Sequence, residues 1–111
     1  MKEAVIVSTA RTGMGKSFRG ALNDTEAPAM GGHAVKAAVE RAGIDPASVE
    51  DVIMGAAAQQ GTQSYNLGRL CSVAAGLPDT TAGMTMDRQC SSGLMSIAWA
   101  AKSIMCDEMD V

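Results

Sequence analysis

The feature that most limits how this chain can fold is the passage from Ala82 to Ile104. A short β-type run enters Asp87-Arg88-Gln89-Cys90-Ser91-Ser92-Gly93 and leaves it as a long amphipathic helix. A strand that turns tightly into a helix calls for a sheet with helices packed on it. The same turn sets one cysteine at a helix start, where unpaired N–H groups and the positive end of the macrodipole favour an anion. Reactive cysteines occupy such positions, so Cys90 is the candidate nucleophile.

The rest of the chain repeats the alternation. Glu3 to Thr9 is a β-branched run without strict alternation, the pattern of a central strand covered on both faces. Arg11-Thr12-Gly13-Met14-Gly15-Lys16-Ser17 looks like a phosphate loop, but the glycine spacing is too short and no helix follows at once. It reads as an irregular connection, and Arg11, Lys16 and Arg19 within it as a solvated basic loop with no site. Ala34, Val35, Ala38, Val39 and Ala42 recur at helical spacing before Gly43, predicting a helix from about Gly31 to Ala42 after a loop closed by Pro28.

Asp45 to Ser48 is a turn, and Val49 to Ala57 a second buried strand. Leu67, Leu70, Cys71 and Ala74 then fall at i, i+3, i+4 and i+7, predicting a second helix that ends before Gly76 and Pro78 and carries Cys71 on its apolar stripe. Thr81 to Met86 is the third strand; Leu94, Ile97, Ala98, Ala101 and Met105 mark the expected buried face of the third helix, with Cys106 near its end. Met109-Asp110-Val111 resembles the start of a further strand. The expectation is an α/β fold over residues 1–111, a mainly parallel sheet with helices on both faces, forming an incomplete first domain.

Composition removes several functions. A charge of −3 and the lack of a basic run interleaved with aromatics exclude a nucleic-acid partner. No apolar stretch approaches the roughly 20 residues that span a bilayer, and Met1 to Val5 shows no signal-peptide pattern, so a cytoplasmic protein is expected. Cys71, Cys90 and Cys106 are widely spaced, without a CxxC pair or companion histidines, and indicate neither a disulfide framework nor a metal site. His33, the only histidine, is read as solvent-facing or locally hydrogen-bonded. Nine methionines serve as core filler in a chain short of aromatics.

The turn at Cys90 resembles in form the nucleophile elbow of hydrolases, which exposes a side chain between strand and helix. Gly93, one turn into the helix, costs about 1 kcal/mol relative to alanine there, and its missing side chain leaves room for a substrate or a neighbouring backbone. Packing offers a second reading, in which Cys90 is small and buried and Gly93 serves only helix–sheet contact. The residues alone leave both open, since no histidine, aspartate or asparagine stands in sequence as an obvious partner for a thiolate.

Arg88-Gln89-Cys90-Ser91-Ser92-Gly93-Leu94, between a strand and an Ala-rich helix, resembles the nucleophile motif of the thiolase family, the acetyl-CoA C-acyltransferases. Val5 to Thr12 followed by Gly15-Lys16 is similar to the family's opening strand and loop, and Asn66-Leu67-Gly68-Arg69 to Leu77-Pro78 to its second helix. The resemblance implies that Cys90 takes the acyl group from a 3-oxoacyl-CoA as acetyl-CoA leaves and passes it to free CoA, or runs the reverse condensation. It implies coenzyme A as substrate and product, no other cofactor and no metal, a place in fatty acid metabolism, and assembly as dimers or tetramers. Gly13 stands where members commonly have proline and Asp87 where they commonly have asparagine, which puts a carboxylate beside the nucleophile.

Family enzymes are several times longer, and their catalytic histidines, second cysteine and most of the CoA-binding loop come later in the chain. The expectation is therefore that residues 1–111 supply the nucleophile but are inactive alone, the remainder lying in cis or in another chain. A 3-oxoacyl synthase-like condensing enzyme is the alternative within the same chemistry, and a non-catalytic subunit or dimerisation module the alternative outside it.

Overall fold

The computed structural model describes residues 1–111. Five regular elements follow one another: α1 (Ala27–Ala42), β1 (Asp51–Gly55), α2 (Leu67–Ala74), β2 (Ala82–Met86) and α3 (Ser92–Met105). β1 and β2 pair in parallel, with Val52 opposite Gly83, Met54 opposite Thr85 and Gly55 opposite Met86, and α2 forms the crossover between them.

Alternation along the strands assigns the two faces of this sheet. Val52 packs with Val49, Ala75 and Leu77 under Val35 and Val39, while Met54 joins Leu67, Cys71 and Ala56. Thr85 shares that face, its Oγ1 accepting the Gly68 N–H at 2.9 Å. The helices α1 and α2 therefore cover one side. The other side belongs to α3, whose first turn lies so close to β1 that a Cβ on Gly55 would overlap the backbone of Ser92 and Gly93. Helices on both faces of a parallel sheet is the architecture expected from the alternating pattern.

Local chemistry explains where the helices start and stop. Pro28 sits in the first turn of α1, where its missing N–H costs nothing, and Gly43 closes the helix in the left-handed conformation with its N–H on the Glu40 carbonyl. The helix thus begins a turn earlier than the Gly31 expected from spacing, because Pro28 opens a helix here instead of closing a loop. Asn66 caps α2: its Oδ1 accepts from Arg69 N at 3.4 Å and from Thr85 Oγ1 at 3.0 Å, and its Nδ2 donates to the Gly83 carbonyl at 2.8 Å. One side chain thereby joins the start of α2 to β2.

Expectations for the strands and for α3 are corrected. Glu3–Thr9 is not a central strand: residues 1–10 belong to no ladder, and Val5, Ile6 and Val7 are 70%, 71% and 69% exposed. Their run lines an open apolar groove of about 350 Å³ with Val35, Val39, Val52 and Val111, and Arg41 Nη1 ties it to α1 through the Thr9 carbonyl at 2.8 Å. β-branched composition shows aptitude for pairing, but a strand exists only where a partner supplies the ladder. Met109 to Val111 likewise forms no strand, although the Val111 carbonyl accepts the Glu50 N–H at 2.9 Å.

The second correction concerns α3. Leu94 and Ile97, expected on its buried face, are 72% and 53% exposed, and its buried residues are Ser92, Ser96 and Ser103. The small serine stripe allows the close approach to Gly55 that leucine would prevent. Ser96 Oγ donates to the Gly93 carbonyl at 2.7 Å, so its burial leaves no hydroxyl unpaired.

Candidate active site

The turn between β2 and α3 is built by hydrogen bonds that converge on the two residues before Cys90. The Asp87 carboxylate accepts the Gln89 N–H at 2.7 Å, an Asx-type turn that starts the reversal. Gln89 then adopts φ 52°, the left-handed region uncommon for a residue with a side chain. Ser92 holds it there from the helix: its Oγ accepts the Arg88 N–H at 2.8 Å and donates to the Gln89 carbonyl at 2.6 Å. Ser91 adds a bond from Oγ to the Arg88 carbonyl at 2.9 Å.

Cys90 stands exposed on this turn with a free thiol. The N–H groups of Cys90, Gly93 and Leu94 have no acceptor within the protein, leaving donors at the positive end of α3 for a developing negative charge. Of the two sequence readings, burial of Cys90 is therefore set aside. Gly93 is not needed for helix–sheet packing either, because a Cβ there would meet nothing within 4 Å, whereas the close contact falls on Gly55.

The other candidate residues do not gather here. His33 is exposed on α1, which covers the opposite face of the sheet from α3. Arg11 bonds the Thr12 carbonyl at 3.2 Å and lines an open cleft with Thr9 and Arg41, and Lys16 and Arg19 are exposed in the loop that follows. Cys106 is exposed just past the far end of α3.

Cys71 is fully buried against Ala56 and Leu67, and that burial pushes its thiol pKa up. Iodoacetamide at neutral pH is expected to modify Cys90 and Cys106 while sparing Cys71, which reacts only in denaturant; peptide mass mapping checks this. Because the unfolded chain ionises that thiol at lower pH than the fold does, stability falls as pH rises above the unfolded value. The residue missed in the sequence was Gly55; Ser92 suits a helix's first turn, where a hydroxyl can serve an unpaired N–H, but it turns instead to the Arg88 N–H and the Gln89 carbonyl. A serine inside the first helical turn and a glycine closing an apolar strand were the available signals, but neither names its partner.

Comparison with known proteins identifies the family. The profile of the thiolase N-terminal domain family matches residues 4–111. The chain is 44% identical over 110 residues to the 3-ketoacyl-CoA thiolase of Bacillus subtilis (strain 168), covering 99% of this chain and 28% of that protein. It is 41% identical over 111 residues to the acetyl-CoA acetyltransferase of Cupriavidus necator, covering all of this chain and 28% of the relative. Among solved structures, the Acat5 thiolase of Ascaris suum in complex with coenzyme A superposes with a TM-score of 0.90 at 28% identity, over 97% of this chain and 28% of that one. The acetyl-CoA acetyltransferase of Syntrophomonas wolfei gives 0.86 at 30% identity, over 97% and 27%. The chain thus spans a little over a quarter of the relatives it matches, and it belongs to the thiolase family, in the region of that family's N-terminal domain.

Proposed function

We propose that residues 1–111 are the nucleophile-bearing part of a thiolase-type acyltransferase, with Cys90 as the acyl carrier. The observation that carries this is an exposed thiol on a hydrogen-bonded strand-to-helix turn, in a chain that the family profile matches almost from end to end. In the first half-reaction the Cys90 thiolate, its proton taken by a base, forms a bond from Sγ to C3 of a 3-oxoacyl-CoA. The C2–C3 bond breaks, and its electron pair leaves with acetyl-CoA, which takes up a proton at C2. In the second, the CoA thiolate attacks the thioester carbonyl and the Cys90 thiolate is released. Dividing carbon–carbon cleavage into two acyl transfers lowers the barrier of each step.

The turn supplies the nucleophile and N–H donors, but a base and the groups that hold the enolate must come from elsewhere. His33 lies beyond the sheet. A polypeptide of these 111 residues alone is therefore inactive in thiolysis, and the active form is a longer or multi-chain assembly that uses coenzyme A as substrate and product. No helix is long and apolar enough to cross a membrane.

Incubation of the intact protein with an acyl-CoA, followed by mass spectrometry, tests the reading. One acyl group is expected on the peptide containing Cys90 and none in Cys90→Ser. Acylation that persists in Cys90→Ser, or that appears on Cys106 instead, overturns it.

A further inference from the structure

We propose that Ser92 and Asp87 are positioning residues that aim Cys90 by clamping the peptide units before it. The inference rests on the reading of Cys90 as the acyl carrier and goes beyond it, because neither side chain needs to touch the substrate. Arg88, Gln89 and Cys90 are all exposed, so packing does not hold them. Ser92 is only 4% exposed, fixed by its seat against Gly55, and it is the one buried side chain hydrogen-bonded to this exposed segment. Its hydroxyl is used twice, as acceptor from the Arg88 N–H and as donor to the Gln89 carbonyl, while the Ser92 N–H donates to that same carbonyl at 3.1 Å.

The consequence is geometric. The Gln89 carbonyl belongs to the peptide unit that carries the Cys90 N–H, and no peptide bond in the chain is cis. A trans peptide with its carbonyl held towards the helix sends its N–H the other way, so Ser92 sets the plane from which both the Cys90 N–H and its Cα–Cβ bond depart. Asp87 completes the clamp from the strand side by accepting the Gln89 N–H, which keeps Gln89 in its left-handed conformation. Without the pair, Gln89 is free to relax to the β region and Cys90 turns with it.

The test measures, on the intact protein, the rate at which an acyl-CoA acylates Cys90, and the ratio of iodoacetamide alkylation at Cys90 to that at Cys106 as an internal standard. Ser92→Ala is expected to slow acylation about tenfold, the rate equivalent of losing a buried hydrogen bond or two, and to lower the alkylation ratio. Cys71 stays protected, which separates misdirection of Cys90 from opening of the fold. Asp87→Ala, an exposed change that leaves the core alone, acts in the same direction and decides the matter if Ser92→Ala unfolds. Ser92→Thr restores the rate, and Asp87→Asn, which keeps the acceptor oxygen for the Gln89 N–H, runs at close to the wild-type rate.

Wild-type acylation of Cys90 together with unchanged rates in folded Ser92→Ala and Asp87→Ala overturns the positioning role alone. Absence of acylation in the wild type overturns the acyl-carrier reading first, and the clamp with it.

Discussion

Gly55→Ala is expected to lower the stability of the fold by about 1–3 kcal/mol and to cut the reactivity of Cys90 with it. The reason lies in what an added methyl meets. A Cβ at Gly55 would overlap not the tip of a flexible side chain but the backbone of Ser92 and Gly93. Backbone in the first turn of a helix cannot rotate aside, so α3 must lift from β1 as a body. Ser92 leads that turn and holds the Gln89 carbonyl, so a displacement on the order of 1 Å passes directly to Cys90, enough for a rate loss of about a hundredfold. Urea unfolding and the Cys90-to-Cys106 alkylation ratio measure the two effects separately. A variant with wild-type values in both shows that α3 does not depend on this contact.

The same contact explains why some of the structure could be read from the sequence and some could not. Elements whose signals are local were legible: α2 from its apolar spacing and the Gly76 and Pro78 that follow it, β1 and β2 from short apolar runs between turn residues, and the Cys90 turn from its position between strand and helix. The opening run was misread because Val5, Ile6 and Val7 carry the composition of a strand, while strandhood is settled by a partner far away in sequence. Periodicity failed on α3 for a related reason. It finds the apolar face of a helix, but which face meets the sheet was decided by the close fit of Ser92 against Gly55 and by small buried serines, of which Ser96 returns its hydroxyl to the Gly93 carbonyl. Cys90 itself was visible. The clamp behind it was not, since nothing in the sequence announces that Gln89 takes a positive φ and turns its carbonyl towards Ser92.

Gly93→Ala should separate fold from function most cleanly, because it is the position where the two make opposite demands. Gly93 is helical, its φ is not positive, and a Cβ there meets nothing within 4 Å. Nothing in these 111 residues needs a glycine there, and alanine should stabilise the helix by up to about 1 kcal/mol. A residue that weakens its own helix without relieving a clash points to something that approaches from outside the chain. Under the acyl-carrier reading that space, one turn from the Cys90 thiol, is where the acyl-CoA arrives. The methyl is therefore expected to leave the unfolding midpoint unchanged or raised, to leave Cys71 protected, and to slow acylation of Cys90 by an acyl-CoA by on the order of tenfold to a hundredfold through a displaced thioester. Iodoacetamide, being far smaller than the acyl-CoA, should still reach Cys90 at close to the wild-type rate. Equal slowing of both reagents would mean that the methyl disturbs the turn rather than the space above it, and undiminished acylation would return Gly93 to the ordinary surface of a helix.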